Sequence, residues 1–81
     1  MQVRVYVTLK AGVLDPAGKA VVGGLHNLGF SDVSDVRIGK FFEMEVAEGP
    51  DIKGRVEEMC RKLLANTVIE RFRVELPEGQ A

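Results

Sequence analysis

The sequence is poor in the side chains that carry chemistry, with one cysteine and one histidine among its 81 residues. A lone Cys60 closes no internal disulfide, which favours a reducing compartment. One His with one Cys cannot supply a zinc site of ordinary ligand spacing. No apolar run approaches the ~20 residues needed to cross a bilayer, and Met1–Val5 has none of the layout of a signal peptide. Neither charge sign dominates: 11 Lys and Arg against 12 Asp and Glu leave a net charge of −1. Such a chain sets up no overall field for nucleic acid or an anionic membrane. The expectation is a soluble, cytoplasmic protein with no nucleic-acid or membrane partner.

What is present is the patterning of one folded unit. A chain this short supports a single core, so residues 1–81 form one domain, with the tail 77–81 expected to be flexible. With no disulfide or metal, a partner subunit is a natural source of further buried area. Val3, Val5, Val7 and Leu9 alternate with Arg4, Tyr6, Thr8 and Lys10, the mark of a half-buried strand. Asp15-Pro16 starts a helix: Asp15 caps the first-turn N–H groups and Pro16 suits the first helical position. Val21, Leu25 and Leu28 form an apolar stripe, Gly29 is the left-handed cap, and Phe30 folds back toward Leu25. Gly18, Gly23 and Gly24 each cost this helix ~1 kcal/mol relative to alanine. Either another backbone approaches closely there, or the glycines are neutral.

Val36, Ile38, Phe42, Met44 and Val46 share even parity. That argues against a two-residue hairpin at Gly39-Lys40 and leaves a three-residue loop or one strand kinked at Gly39. Asp51 caps a second helix, whose buried stripe is read as Ile52, Val56, Met59, Cys60, Leu63 and Leu64. Asn66 stands where a left-handed residue should end that helix. Phe72, Val74 and Leu76 alternate with Arg71, Arg73 and Glu75 in a last strand. The order β-α-β(β)-α-β predicts an α+β fold, a small and mostly antiparallel sheet of three to four strands with two helices on one face. The other face would display Arg4, Tyr6, Thr8, Arg37, Phe41, Glu43, Glu45, Arg71, Arg73 and Glu75, and a sheet face or edge would serve oligomerisation.

The search for a reaction centre yields little. Cys60 lies in an apolar stripe, whereas a reactive thiol needs exposure and a cationic neighbour or base. His26 reads as a surface or boundary residue. Nothing places two carboxylates across a cleft, so acid–base work is unsupported. Gly39-Lys40 resembles the end of a phosphate-binding loop, but Ser34 and Phe41 break that motif. Tyr6 and Phe41 suit RNA stacking, but Glu43 and Glu45 on the same face would repel phosphate. Two aromatics among mixed charges fit a protein–protein contact better.

Three blocks occur in the order and spacing of one family: Leu14-Asp15-Pro16-Ala17-Gly18, Asp35-Val36-Arg37-Ile38-Gly39-Lys40-Phe41, and Cys60-Arg61-Lys62-Leu63-Leu64-Ala65-Asn66-Thr67-Val68-Ile69-Glu70. From the first strand to about Leu76 the chain resembles the PurS family, the small subunit of phosphoribosylformylglycinamidine synthase in purine biosynthesis. The resemblance implies a subunit without catalytic, cofactor or metal residues of its own. Its expected partners are a PurL-like synthetase subunit, which would bind ATP, magnesium and formylglycinamide ribonucleotide, a PurQ-like glutaminase subunit, and a second copy of itself in a dimer or tetramer. Its role would be to bridge synthetase and glutaminase so that glutamine-derived ammonia supports amidine formation. Arg37, Lys40, Phe41, Tyr6, Asn66 and Thr67 are the candidate partner contacts. Asn66 and Thr67 serve equally as a purely intrachain cap, and Arg37 and Lys40 as a solvated pair. Two other readings compete: a small dimeric metabolite-binding module, which needs a polar pocket between protomers, and an enzyme using Cys60, which needs a reachable thiol.

Overall fold

The computed structural model describes residues 1–77, so the expected flexibility of the tail falls largely outside the described residues. Strand β1 (Gln2–Leu9) alternates as its sequence requires, with Val3, Val5 and Val7 fully buried on one side. Burying each of these valines contributes about 1.5–3 kcal/mol. Helix α1 (Pro16–Asn27) follows, then strand β2 (Lys40–Glu45), helix α2 (Ile52–Met59) with a π-helical turn at Cys60–Leu64, and strand β3 (Glu70–Glu75). Both β2 and β3 pair antiparallel to β1, giving the order β2-β1-β3. The expected α+β architecture is therefore present, with three strands. Between Gly29 and Lys40 there is neither a hairpin nor a continued strand: residues 33–39 carry no regular structure, and β2 begins only after Gly39. A side chain at Gly39 would collide with the Val7 carbonyl.

β1 and β2 are antiparallel neighbours, and Val7 faces Lys40. The residues between them must therefore leave one end of the sheet and come back to it. Helix α1 is the outward leg and residues 33–39 the return leg of an arm. At its base the buried Asp15 caps Gly18 N–H through Oδ1 at 2.9 Å and accepts from Ile38 N–H through Oδ2 at 2.8 Å. Those two bonds, first from Ile38 and then from Gly18, hold the Asp15 carboxyl below its usual pKa, with help from the Arg37 charge. Arg37 donates to Val13 O at 2.9 Å and to Lys10 O at 3.2 Å, joining the legs again. Further out, His26 Nε2 donates to Val33 O at 2.7 Å. Gly18 answers one glycine question, because a Cβ there would run into the Val36 carbonyl, whereas Gly23 and Gly24 are open. Gly29 adopts φ 97°, with Gly29 N–H to His26 O at 3.0 Å and Phe30 N–H to Leu25 O at 2.9 Å, the expected Schellman cap.

α1 packs substantially on no strand, while α2 packs on β3. The arm makes the molecule long, 50 × 26 × 16 Å, with a radius of gyration of 16.1 Å. A compact chain of this length would be about 12 Å. The core is correspondingly small: Val3, Val5, Val7, Val46, Ile52, Val56, Cys60 and Ala65.

The exit from α2 differs from the expectation at two points. Asn66 is not left-handed; the one non-glycine residue with positive φ among those described is Asp51, the N-cap of α2. The helix ends by widening, with Ala65 N–H bonded to Cys60 O at 2.9 Å, five residues back. That widening breaks the helical spacing after Cys60. Ala65 turns inward and Leu63, read as core, is 84% exposed. Asn66 instead begins the next turn: its side chain accepts from Val68 N–H at 3.2 Å and its carbonyl accepts from Glu70 N–H at 2.7 Å. Lys40 closes the junction by donating to Leu64 O at 3.1 Å and pairing with Glu70 at 3.6 Å.

Three outcomes follow from this packing. Gly18→Ala should lower the urea midpoint despite alanine's better helix propensity, whereas Gly23→Ala should stabilise by about 1 kcal/mol. Asn66→Ala should cost about 1 kcal/mol through the lost turn bond, and Asn66→Gly should be no better, since the position needs no left-handed freedom. Because folding lowers the Asp15 pKa, its contribution is complete above the ordinary carboxyl value of ~3.9 and is lost as pH falls through the folded value. Urea titrations at several pH values should thus show Asp15→Asn less stable at neutral pH, with the gap to the native chain closing in acid.

Candidate functional site

The sequence-derived contact residues divide into two groups in the structure. Tyr6 and Phe41 come together: they face each other across β1 and β2, with ring centroids 5.0 Å apart and planes at 27°. Arg37 and Lys40 do not join them, because both side chains turn back onto backbone carbonyls of their own chain. Asn66 and Thr67 are exposed in the turn before β3.

Around Tyr6 and Phe41 the outer sheet face is ordered by charge. The Arg73 guanidinium lies 4.2 Å from the centre of the Tyr6 ring. Arg4 reaches Glu43 at 3.4 Å and Glu75 at 3.5 Å, and these carboxylates, Glu43 first, raise its pKa. Arg73 also reaches Glu75 at 3.3 Å, and Arg71 reaches Thr8 at 3.4 Å. Each exposed pair contributes only ~0–1 kcal/mol, and the cation–π contact ~0.5–1. The ladder's effect is therefore mainly to hold Phe41, itself 52% exposed, on a pre-ordered surface. Arg4 and Arg73 were legible as outer-face residues, but their partners depended on the strand order.

Two further apolar surfaces lie uncovered, which the sequence pattern did not indicate. On α1, Ala17, Val21, Gly24 and Leu28 make one exposed stripe, with Leu28 at 74%, while Leu25 is half-buried. Phe30, just past the cap, is 54% exposed. The second surface is a groove of about 540 Å³ beside α2, lined by Met44, Met59, Leu63 and Leu64 with the charged Arg55, Glu58 and Lys62. Lys62 is neutralised by Glu58 at 2.7 Å. The available signal was the pair Leu63-Leu64, two adjacent apolar residues that a narrow helical stripe cannot both bury.

The remaining chemical candidates are structural. Cys60 is fully buried, and desolvation raises its thiol pKa, the opposite of what a nucleophile needs. His26 is engaged by the return leg of the arm. Among the described residues, no cluster of three metal-ligating side chains occurs and no helix is long and apolar enough to cross a membrane.

This geometry matches known proteins throughout. The PurS family model, described as phosphoribosylformylglycinamidine (FGAM) synthase, matches residues 2–78. The phosphoribosylformylglycinamidine synthase subunit PurS of Bacillus subtilis is 51% identical over 78 residues, covering 95% of this chain and 93% of that protein. A crystal structure of B. subtilis PurS superposes with a TM-score of 0.86 at 52% identity, over 91% of this chain and 94% of that one. A chain in the structure of PurLQS from Thermotoga maritima superposes with a TM-score of 0.79 at 25% identity, over 91% of this chain and 93% of that one. With a family match over nearly its whole length and relatives of this identity, the chain belongs to the PurS family of phosphoribosylformylglycinamidine synthase.

Proposed function

We propose that this protein is the assembly subunit of phosphoribosylformylglycinamidine synthase, joining a PurL-like synthetase subunit to a PurQ-like glutaminase in the cytoplasm. The complex converts formylglycinamide ribonucleotide to the amidine with ATP and glutamine. In this reading ATP and magnesium belong to the synthetase subunit, and the present chain performs no bond-making step.

The observation that carries the reading is the disposition of its surfaces. A domain with so small a core holds Val21, Leu28 and Phe30 in water on a braced arm, and Leu63 beside an apolar groove. A third surface, the outer sheet face, carries Phe41 on an ordered ladder of charges. Exposed apolar patches of this kind mark contacts with other proteins, and three of them on one small chain suit a subunit that holds others together. The PurLQS structure of T. maritima contains a chain of the same fold, which supports the same partners here. The groove's lining is largely apolar, so it does not favour the alternative of a small polar metabolite.

The test is glutamine-driven amidine synthesis by the partner PurL- and PurQ-type subunits with and without this protein, with the ammonia-driven rate as control. The expected result is a several-fold or larger gain in the glutamine-driven rate and little change with ammonia. No change in either rate, together with no complex by size-exclusion chromatography, would overturn the reading.

A further inference from the structure

We propose that the turn from Ala65 to Ile69, with Val68 at its tip and Lys10, Arg61 and Arg71 around it, docks a protein partner that presents an apolar pocket ringed by carboxylates. The proposal rests on the assembly reading above and gives the chemistry of one contact that such a subunit makes.

A net charge of −1 conceals an uneven distribution. β1 leaves the sheet at the end where β2 and β3 enter it, with Val7 opposite Lys40, Thr8 opposite Arg71 and Leu9 opposite Glu70. Lys10 N–H donates to Ile69 O at 2.9 Å, which seats Lys10 beside the turn. The π-helical end of α2 arrives at the same place, because Lys40 Nζ reaches Leu64 O at 3.1 Å. The bond from Ala65 N–H to Cys60 O sets Arg61 one turn from Ala65. Glu70 and Glu58 are already engaged there, Glu70 by Lys40 and Asn66 N–H, Glu58 by Lys62. On the arm, Asp15 is buried and Asp35 shares a cleft with Lys19 and Arg37. Among the described residues Lys10, Arg61 and Arg71 form no ion pair, and Arg71 meets only the neutral Thr8 hydroxyl at 3.4 Å. All three are exposed. The opposite end of the sheet instead gathers Glu43, Glu45 and Glu75 about Arg4.

The turn inside this basic rim is held by its own backbone. Asn66 N–H donates to Glu70 at 2.7 Å and Val68 N–H to Asn66 Oδ1 at 3.2 Å. Ile69 N–H and Glu70 N–H both donate to Asn66 O, at 3.1 and 2.7 Å. Yet the turn leaves Val68 80% exposed and Ile69 40% exposed. A β-branched side chain on a fixed backbone has little freedom left to lose on binding. An apolar centre within a polar rim is the layout of a protein contact, and the sign of this rim calls for carboxylates opposite. A single-stranded nucleic acid would need aromatic rings on which to stack its bases, and the turn carries none. The Asn66-Thr67 junction thereby gains a use: Asn66 orders the turn, and the exposed Thr67 lies within the contact.

Biolayer interferometry of this protein against the PurL-type and PurQ-type subunits, singly and together, tests the surface. It is run at ~50 mM and ~300 mM salt, either side of physiological screening. Val68→Asp and the double variant Arg61→Glu/Arg71→Glu should each weaken the complex about tenfold or more, and the native complex should weaken with salt. Lys53→Glu makes the same kind of charge change in the first turn of α2, and should leave the affinity within about twofold. Circular dichroism spectra should be unchanged, because every substituted side chain is exposed; Val68→Ser replaces Val68→Asp if the latter fails to fold. Three results would overturn the proposal and leave the assembly reading standing: complexes of native affinity with both surface variants; an equal loss with Lys53→Glu, which would mean net charge rather than this surface; or tighter binding to a single-stranded RNA than to either subunit, abolished by Arg61→Glu/Arg71→Glu, which would give the surface to a polyanion. Absence of any complex at either salt concentration would overturn the assembly reading and this surface with it.

Discussion

The Asp15 carboxylate is the joint on which the shape of this protein turns. One oxygen caps the first turn of α1 through Gly18, and the other holds Ile38, 23 residues further along. A helix cap alone would leave α1 free to swing, and an irregular return leg alone would have no partner to hold it. Joined at one buried carboxylate, with Arg37 bonded to two carbonyls beside it, they become an arm of fixed direction. Gly18 belongs to the same joint, since only a residue without a Cβ lets α1 approach the Val36 carbonyl.

From that constraint the rest follows. Because the arm points away, α1 contributes little to the core, and three valines of β1 with the inner side of α2 supply most of it. Side chains that could have closed the core lie in solvent instead, Leu28 and Phe30 on the arm and Leu63 at the groove. The folded chain gives up internal burial and keeps surfaces for other chains. That arrangement suits membership of a multi-subunit synthase better than independent action.

Local signals suffice where one residue decides the conformation. Asp15 and Pro16 start α1, Gly29 ends it, and Asp51 starts α2, each through a bond to backbone a few residues away. The outer face of Arg4, Tyr6, Phe41, Glu43 and Arg73 was legible from alternation alone. Asn66 departs from the expected left-handed cap because asparagine serves two kinds of local bond, left-handed caps and side-chain turns, and sequence does not choose between them. The π-helical turn was invisible because nothing in Cys60–Leu64 departs from ordinary helical composition. One inserted residue in that turn reassigns Leu63 from core to surface and brings Ala65 inward. Arg37 and Lys40 carry charge like any surface pair, and only the position of the Lys10, Val13 and Leu64 carbonyls makes them braces.

The sequence by itself determined the element order, the caps, the buried face of β1 and the family, because each rests on periodicity, on bonds within a few residues, or on motifs in fixed order. Tertiary structure alone decided that β1 lies between β2 and β3, and so that residues 10–39 form an outward arm rather than a crossover. Periodicity records that a face is apolar but not what covers it. The same stripe on α1 would read identically whether it lay on its own sheet or stood away from it. That choice was made by strand pairing between residues about 40 and 70 positions apart in the chain, where no local signal reaches.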